Sequence, residues 1–371
     1  MASNSGNTEV LEQAKASAGT DPRTSLVASD EVRKFHDDIV VFDGLSLFYI
    51  LDEAYAERVL KGGVNATNVT FAVEEDWSST LKNIESGLEK IEAHPLLVLA
   101  RDTSEILKAR EEGKLAIVMG TQGASMIDKN LSLYTAPGTS AWQTSFDRLS
   151  IMHRLGLRFF GLSYTAANLF SDGCGEPRDA GITVLGEELI DAVNELPMIL
   201  DLSHCGHRTR LEAAQRAKAP VCTHSNSYTI NPNDRNTKDE TVLEIAAKGG
   251  MIGVVGLPRT VHNENATLDA MVDHVDYLVK LAGMDHVGIG MDFTELYQDQ
   301  KLVLPESRRW RTRRPDIFGS VDDFMNAKYP VESVVLLPNL TQTMLDRGYS
   351  KEQVTALMGG NWMRVFQNFV G

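Results

Sequence analysis

Residues 198–204 of the chain read MILDLSH, and residues 221–224 read VCTH. Each run is almost continuously apolar until it ends in a histidine, which is typical of a parallel strand that is buried on both faces. Similar runs occur at residues 39–42, 115–119, 159–164, 251–255 and 287–291. Together they predict the strands of a parallel sheet.

Helical patterns separate these runs. Residues 208–218 and 268–282 both place apolar side chains at helical spacing. Strand–helix alternation over roughly 250 residues predicts an α/β fold of the (β/α)8, TIM-type barrel class. A doubly wound open sheet is the alternative, but residues 43–48, DGLSLF, lack the GxGxxG spacing that a nucleotide-binding sheet carries after its first strand.

The chain divides into two parts by composition. Residues 1–30 are polar and lack a sustained apolar period, so we expect a mobile N-terminal arm. Residues 31–371 then form a single barrel domain, with a long loop at 295–333 that contains the basic sequence WRTRRPD. This loop follows a strand end, and in a barrel that is the catalytic face. It is either a solvated basic loop or a cover over the substrate.

Charge and cysteine content limit the partners. The 371 residues contain 36 Lys and Arg against 51 Asp and Glu, a net charge of −15, which argues against nucleic acid or an anionic membrane as partner. No apolar run is long enough for a membrane span, and the first residues lack the pattern of a secretory signal. With three cysteines and no CxxC pair, we expect a reduced, cytoplasmic protein that acts on a small molecule.

Polar side chains at predicted strand ends are the candidate functional residues. His204 and His224 end neighbouring strands, and Asp292 ends a later one. Imidazole is a common zinc ligand, and a carboxylate in this place can bind a metal or accept a proton. Each histidine taken alone could also be a hydrogen-bonded core residue. The three together favour a metal-binding or catalytic site.

Several motifs resemble the membrane (renal) dipeptidase family, a branch of the amidohydrolase-type metal enzymes. They are ILDLSH at 199–204, THSNS at 223–227, VGIGMDF at 287–293, LSY at 162–164 with DGC at 172–174, and the C-terminal segments LPNLT, RGYS and GGNW. The resemblance extends from about residue 37 to the end. It implies an amidohydrolase-like (β/α)8 barrel, a homodimer, and a two-zinc site that hydrolyses dipeptides.

The chain departs from that family at its metal ligands. His204, His224 and Asp292 match ligand positions, but the first-strand signature has become Asp43-Gly44-Leu45-Ser46-Leu47, with leucine at both ligand positions. The position of the metal-bridging glutamate is Gln122. Leucine offers no lone pair, and a neutral amide oxygen is a weaker ligand for a dication than a carboxylate.

The resemblance therefore implies a changed site. We expect one divalent ion, zinc by preference, or none, with His204, His224 and Gln122 as its ligands and Asp292 as catalytic residue. The family's carboxylate-binding arginine corresponds to Arg235. The remaining candidate substrate contacts are Tyr164, Leu45, Leu47 and Trp310. An apolar floor and one anion-binding arginine suit a small organic substrate, aromatic or carboxylated.

Three functions follow from these residues. The first is a single-metal enzyme with a lyase, isomerase or hydrolase reaction other than dipeptide hydrolysis. The second is a zinc dipeptidase with an altered ligand set. The third is a non-catalytic binding protein on the same scaffold. Metal analysis separates them, because they predict one, two and no stoichiometric ions in that order. A protein without bound metal could also be a metal-free enzyme.

Overall fold

The computed structural model describes residues 27–127 and 146–371. Parallel strands and helices alternate along this part of the chain. The strands are β1 Phe42–Leu47, β2 Ala66–Ala72, β3 Leu97–Leu99, β4 Leu115–Thr121, β5 Leu157–Gly161, β6 Ile199–Asp201, β7 Pro220–Val221, β8 Ile252–Val254 and β9 Val287–Ile289. The first strand begins at Phe42 and not at Ile39, and it continues through Leu45 and Leu47.

The strands curl into a barrel. They pair in parallel in the order β1-β2-β4-β5-β6-β7, β8 pairs with β9 in a second sheet, and β3 pairs with β4 off the main path. A parallel bridge between Cys222 and Ile252 joins the end of β7 to β8. The backbone N–H of Asp292, just beyond β9, donates to the carbonyl of Leu45 in β1 at 3.2 Å. The predicted (β/α)8 barrel class is confirmed.

Helices surround the strands. Before β9 they are α1 Asp30–Asp38, α2 Glu53–Lys61, α3 Trp77–Ala93, α4 Thr103–Glu111, α5 Asp147–Leu155, α6 Val184–Asn194, α7 His207–Arg216, α8 Asp239–Ala247, α9 Pro258–Val261 and α10 Leu268–Ala282. After β9 they are α11 Glu295–Asp299, α12 Pro305–Arg313, α13 Pro315–Phe318, α14 Val321–Met325, α15 Pro338–Asp346, α16 Lys351–Thr355 and α17 Asn361–Phe369. In residues 27–127 and 146–371, none of them is both long and apolar enough to cross a membrane.

Aromatic side chains fill the barrel interior opposite the strand carboxyl ends. Trp362 of α17 is fully buried and donates from its indole nitrogen to the carbonyl of Ile289 at 2.7 Å. Its ring lies 6.0 Å from Phe42 and 5.9 Å from Phe159. Gly44 leaves space for this ring, because a Cβ there would lie 2.7 Å from the indole. The interior is therefore a packed core, as in other barrels of this class.

Two segments differ from the rest of the barrel. Residues 295–333, predicted as a long loop, contain the four short helices α11–α14. We call this segment the insertion. Residues 1–26 of the predicted arm lie outside the described residues, and Ser29 caps α1, which begins at Asp30. The backbone N–H groups of Val27 and Ala28 donate to Asn339 at 2.9 and 3.0 Å.

Candidate functional site at the carboxyl ends of the strands

The ends of β6 and β7 bring His204 and His224 together. Their ring centroids are 4.9 Å apart. Asp201, the last residue of β6, fixes both strand ends: its carboxylate accepts the backbone N–H of Ser203 at 3.1 Å and of Thr223 at 2.9 Å. It also accepts both hydroxyls, at 2.5 and 2.6 Å. Each histidine follows one of these two anchored residues, and the structure therefore places both at the ends of adjacent strands.

A chain of hydrogen bonds sets the tautomer of His224. The Thr223 hydroxyl donates to Asp201, so its oxygen accepts from His224 Nδ1 at 2.7 Å. His224 Nε2 then carries a lone pair, and it is buried without a hydrogen-bond partner among the described residues. Burial, followed by the charges of Arg235 and Arg210, lowers the pKa of His224 well below its ordinary value. The ring is neutral at physiological pH.

Arg235 lies against His204. Its guanidinium is 2 % exposed, donates to the carbonyl of Ser203, and approaches His204 Nε2 at 3.2 Å. Because arginine is always a donor, His204 Nε2 must be the acceptor, and Nδ1 donates to the Thr165 hydroxyl at 3.1 Å. Burial and then the Arg235 charge lower the pKa of His204 well below its ordinary value. A fixed positive charge therefore occupies the side of His204 that would face a ligand.

Asp292 follows β9 with a backbone φ of 52°, a left-handed conformation that is uncommon outside glycine, asparagine and aspartate. Such conformations concentrate at functional sites. The carboxyl group is 9 % exposed, and burial raises its pKa to about 7, with Arg235 opposing the rise and Asp43 adding to it. Asp292 is thus a buried carboxyl group within electrostatic reach of the Arg235 cation.

The ends of β1 and β4 carry the replaced ligand positions. Leu45 is 1 % exposed, and Leu47 is partly buried at the end of β1. Gln122 follows β4, is 5 % exposed and donates from its amide nitrogen to the Thr70 hydroxyl at 2.8 Å. The arrangement of Leu45, Leu47 and Gln122 gives this part of the site no charge.

Two candidate substrate contacts lie in different surroundings. The Tyr164 ring packs on His204 with centroids 4.1 Å apart, and burial raises the pKa of its hydroxyl. Trp310 in α12 is 8 % exposed and donates to Glu306. A Cβ on Gly175 would lie 2.6 Å from the Trp310 ring, so the indole packs the insertion onto residues 173–175.

A cavity of about 810 Å³ opens beside the site. Arg235 lines it, and so do residues of the α9–α10 segment and of the insertion, among them Arg311, Phe318 and Tyr329. A volume of this size lies within the range of small-molecule sites. The insertion therefore forms one wall of this cavity, and Arg235 is the candidate site residue that lines it.

Sequence reasoning missed some residues of this site. Asp43 is 1 % exposed, accepts the backbone N–H of Met291 at 2.7 Å, and holds β9 beside β1. Asp201 links the ends of β6 and β7 through hydrogen bonds in the same way. Both aspartates stand in apolar runs that the sequence analysis quotes, and a carboxylate inside a buried strand is a signal that could have identified them.

A parallel barrel with two histidines and an aspartate at its strand carboxyl ends is the architecture of the amidohydrolase class. The chain belongs to the membrane dipeptidase family (peptidase family M19), whose model matches residues 45–301.

Curated relatives include an uncharacterized dipeptidase of Schizosaccharomyces pombe and the dipeptidase tcpJ of Claviceps purpurea. They are 29 % and 27 % identical over 70 % and 72 % of this chain, and each match covers 54 % of the relative. The chain thus spans about half the length of these relatives. A solved amidohydrolase from Pseudomonas aeruginosa is 28 % identical, with a TM-score of 0.77, and the match covers 92 % of this chain and 99 % of that one.

The family implies a metal cofactor, but the residues as placed do not fit one. Within residues 27–127 and 146–371, no group of three or more His, Cys, Asp or Glu side chains is arranged to hold a metal ion. His204 Nε2 is hydrogen-bonded to Arg235, and Leu45 and Leu47 have no atom that could ligate a metal. Gln122 offers only a neutral amide oxygen, which is a weak ligand for a dication. A single ion at His204, His224 and Gln122 remains a prediction, and it requires Arg235 to move away from His204.

Proposed function

We propose that this chain is a diverged dipeptidase-family enzyme that transforms a small carboxylated organic molecule, with Arg235 holding the carboxylate and Asp292 exchanging the proton. The proposed reaction does not use the family's two-metal centre. The observation that carries the proposal is the buried Arg235 guanidinium, which lines the cavity and forms no ion pair with a carboxylate within the described residues.

A buried cation with no carboxylate in direct contact costs stabilisation free energy. Asp292 is within electrostatic reach of Arg235, but with a pKa of about 7 it is only partly ionised near neutral pH, so a bound anion can supply the remaining counter-charge. Arg235 already donates to the Ser203 carbonyl and to His204, which fixes the guanidinium plane before a ligand arrives. Nη2 also donates to the His224 carbonyl at 3.5 Å, which leaves the Nε–H and one Nη1 N–H, together with the positive charge, for a small anion. The site is therefore prepared for a small anion.

Asp292 is the proton acceptor of the proposed reaction. It lies within electrostatic reach of Arg235, so a carboxylate bound to that arginine is brought near it. A pKa of about 7 supports this role, because a base is most effective when its pKa is close to the working pH. The neutral His224, with its buried lone pair, can accept a hydrogen bond from a donor on the same substrate.

The opposite part of the site favours an apolar substrate body. Leu45 and Leu47 replace side chains that would be charged in the family, and Gln122 is neutral. A zwitterionic dipeptide would lose hydration there without a compensating ligand. An aromatic or aliphatic carboxylate loses less, so it is the better substrate class.

A zinc dipeptidase with an altered ligand set is the second candidate. The names of the two curated fungal relatives, both called dipeptidases, favour it. Rotation of Arg235 away from His204 would be its structural requirement. The third possibility, a binding protein without activity, shares the carboxylate site with the main proposal.

A substrate panel tests the proposal. Carboxylated aromatic and aliphatic compounds, their amides and esters, and a set of dipeptides would be incubated with wild-type protein and with Asp292→Asn, and products followed by mass spectrometry. Asp269→Asn, at an exposed aspartate paired with Arg347, is the matched control. Turnover of a carboxylated compound that is lost only in Asp292→Asn supports the proposal. Dipeptide turnover at ordinary enzyme rates would establish the second candidate instead, and tight binding without turnover would establish the third.

A further inference from the structure

The insertion carries several arginines, and the structure shows that they differ in exposure and in ion-pair partners. Arg308 and Arg313 are exposed, Arg309 pairs with Glu306 at 3.7 Å, and Arg314 pairs with Asp234 and Asp316 at 3.2 and 2.9 Å. Arg311 differs, because it is partly buried and lines the same cavity as Arg235. The sequence alone gave no means of choosing among them.

Arg311 is held in a fixed position by neutral groups. Its Nε donates to the Ser307 hydroxyl at 3.1 Å, one turn earlier on α12, and another nitrogen donates to the Phe318 carbonyl. The guanidinium carbon lies 4.0 Å from the centre of the Phe324 ring. Within residues 27–127 and 146–371 it forms no ion pair with a carboxylate. It is a second prepared cation without a counter-charge.

The acidic side chains near Arg311 either accept other hydrogen bonds or are exposed to solvent. Asp323 is the closest in electrostatic terms, and its carboxylate accepts the backbone N–H of Ser320 at 2.7 Å in the cap of α14. The other carboxyl groups of the cavity, on Glu264, Asp322 and Glu332, are exposed at its rim. Arg235, Arg259 and Arg311 thus line one cavity, and Arg235 and Arg311 come from different elements of the fold.

Tyr164 relates the two arginines. Both Arg235 and Arg311 are within electrostatic reach of its hydroxyl. Arg235 donates to the end of β6, whereas Arg311 donates to groups within the insertion. These two cations, which both line this cavity, are therefore held by different elements of the fold.

We propose that Arg311 is a second anion-binding point, so that the substrate class of this enzyme is a molecule with two carboxylates, or a carboxylate and a comparable anionic group, joined by an apolar body. The inference rests on the proposed function, because Arg235 supplies the first point. The walls between the two points include Phe318, Phe324 and Tyr329, which fit an aliphatic or aromatic spacer. Arg311 then sets specificity, while the chemistry stays at Asp292.

Calorimetric binding to the full-length protein tests this inference. The probes are linear dicarboxylates from succinate to sebacate, each compared with its monoamide, in which one carboxylate is replaced by a neutral group. For the best-fitting length we expect the dicarboxylate to bind about tenfold more tightly than the monoamide, because a hydrogen bond to an ionised group is stronger than one to a neutral group. Arg311→Gln should reduce this ratio to about one, and Arg311→Lys should give an intermediate ratio because lysine lacks the planar fork.

Arg313→Gln, in the exposed arginine of the same helix, is the matched control and should keep the wild-type ratio. Thermal unfolding of each variant shows whether α12 is intact. A ratio unchanged by Arg311→Gln, or an equal loss of dicarboxylate and monoamide binding, would overturn the second binding point and leave the proposed function standing. If Arg235→Gln does not weaken the monoamide, or if no carboxylate binds to wild-type protein, the proposed function fails as well.

Discussion

Across the barrel mouth, the ends of β6 and β7 differ sharply from the ends of β1 and β4. The first pair presents His204, His224 and the Arg235 cation, each fixed by hydrogen bonds to neighbouring strand ends. The second pair presents Leu45, Leu47 and Gln122, none of which carries charge. We refer to these as the polar side and the neutral side of the mouth.

The comparison shows that the strand framework does not require ligand-type side chains at the ends of β1 and β4. Asp43 on the neutral side and Asp201 on the polar side still hold adjacent strands together. Both belong to the strand framework, and neither depends on a bound ion for its hydrogen bonds. Leu45, Leu47 and Gln122 stand where the resemblance to the family places metal ligands, so those positions can differ while Asp43 and Asp201 keep the strands together.

Asp292→Asn should have the largest effect, because it removes the proton acceptor and preserves shape and neutral hydrogen bonding. We expect turnover of the substrate found in the panel to fall by about 10²-fold or more. In wild-type protein, kcat/KM should rise with pH and level off above about 7, since the carboxyl group must lose its proton to act as a base. Near-normal turnover in Asp292→Asn would show that this aspartate has a structural role.

Asp43→Asn tests the hydrogen bonds that hold β9 beside β1 on the neutral side. Burial raises the pKa of Asp43 to about 7, above the ordinary value of 3.8 that it regains on unfolding. The folded protein therefore binds the proton more tightly, so the contribution to stability is complete below about pH 4 and is lost as pH rises to about 7.

Asparagine stays neutral and can still accept the N–H groups of Leu45 and Met291. The variant should therefore become more stable relative to wild type as pH rises from 4 to 8, by up to a few kcal/mol. Urea unfolding at several pH values measures the difference, with Asp322→Asn at an exposed aspartate as control. If the free energies of unfolding of Asp43→Asn and wild type change equally with pH, the raised pKa of Asp43 is contradicted.

The triple variant Leu45→His/Leu47→Asp/Gln122→Glu converts the neutral side back toward a ligand set. We expect wild-type protein to hold at most one divalent ion tightly, and the variant to bind zinc at least about tenfold more tightly, with some dipeptide hydrolysis. Metal analysis after purification with added zinc gives the stoichiometry. Two stoichiometric zinc ions in wild-type protein would refute the loss of the site.

Sequence reasoning predicted the barrel because its buried parallel strands have an apolar pattern that ends in polar residues. It placed His204, His224 and Asp292 at strand ends for the same reason. It could not find that Arg235 donates to His204, since that contact joins residues 31 positions apart through side-chain conformation. It also could not distinguish Arg311 from the exposed Arg313 two residues later, because the irregular insertion hides which helix face points inward.

Trp310→Phe should have the smallest effect, because this side chain joins the insertion to residues 173–175 and lies outside the residues that line the cavity. Phenylalanine keeps the ring on Gly175 but loses the hydrogen bond to Glu306, which is worth about 0.5–1.5 kcal/mol for a neutral donor and somewhat more with a charged acceptor. We therefore expect a small fall in melting temperature and less than about a threefold change in carboxylate affinity, corresponding to under ~0.7 kcal/mol. Calorimetry and thermal unfolding measure both. A loss of affinity as large as that in Arg235→Gln would mean that the indole contacts the substrate directly, as the sequence predicted, and that the insertion moves when the ligand binds.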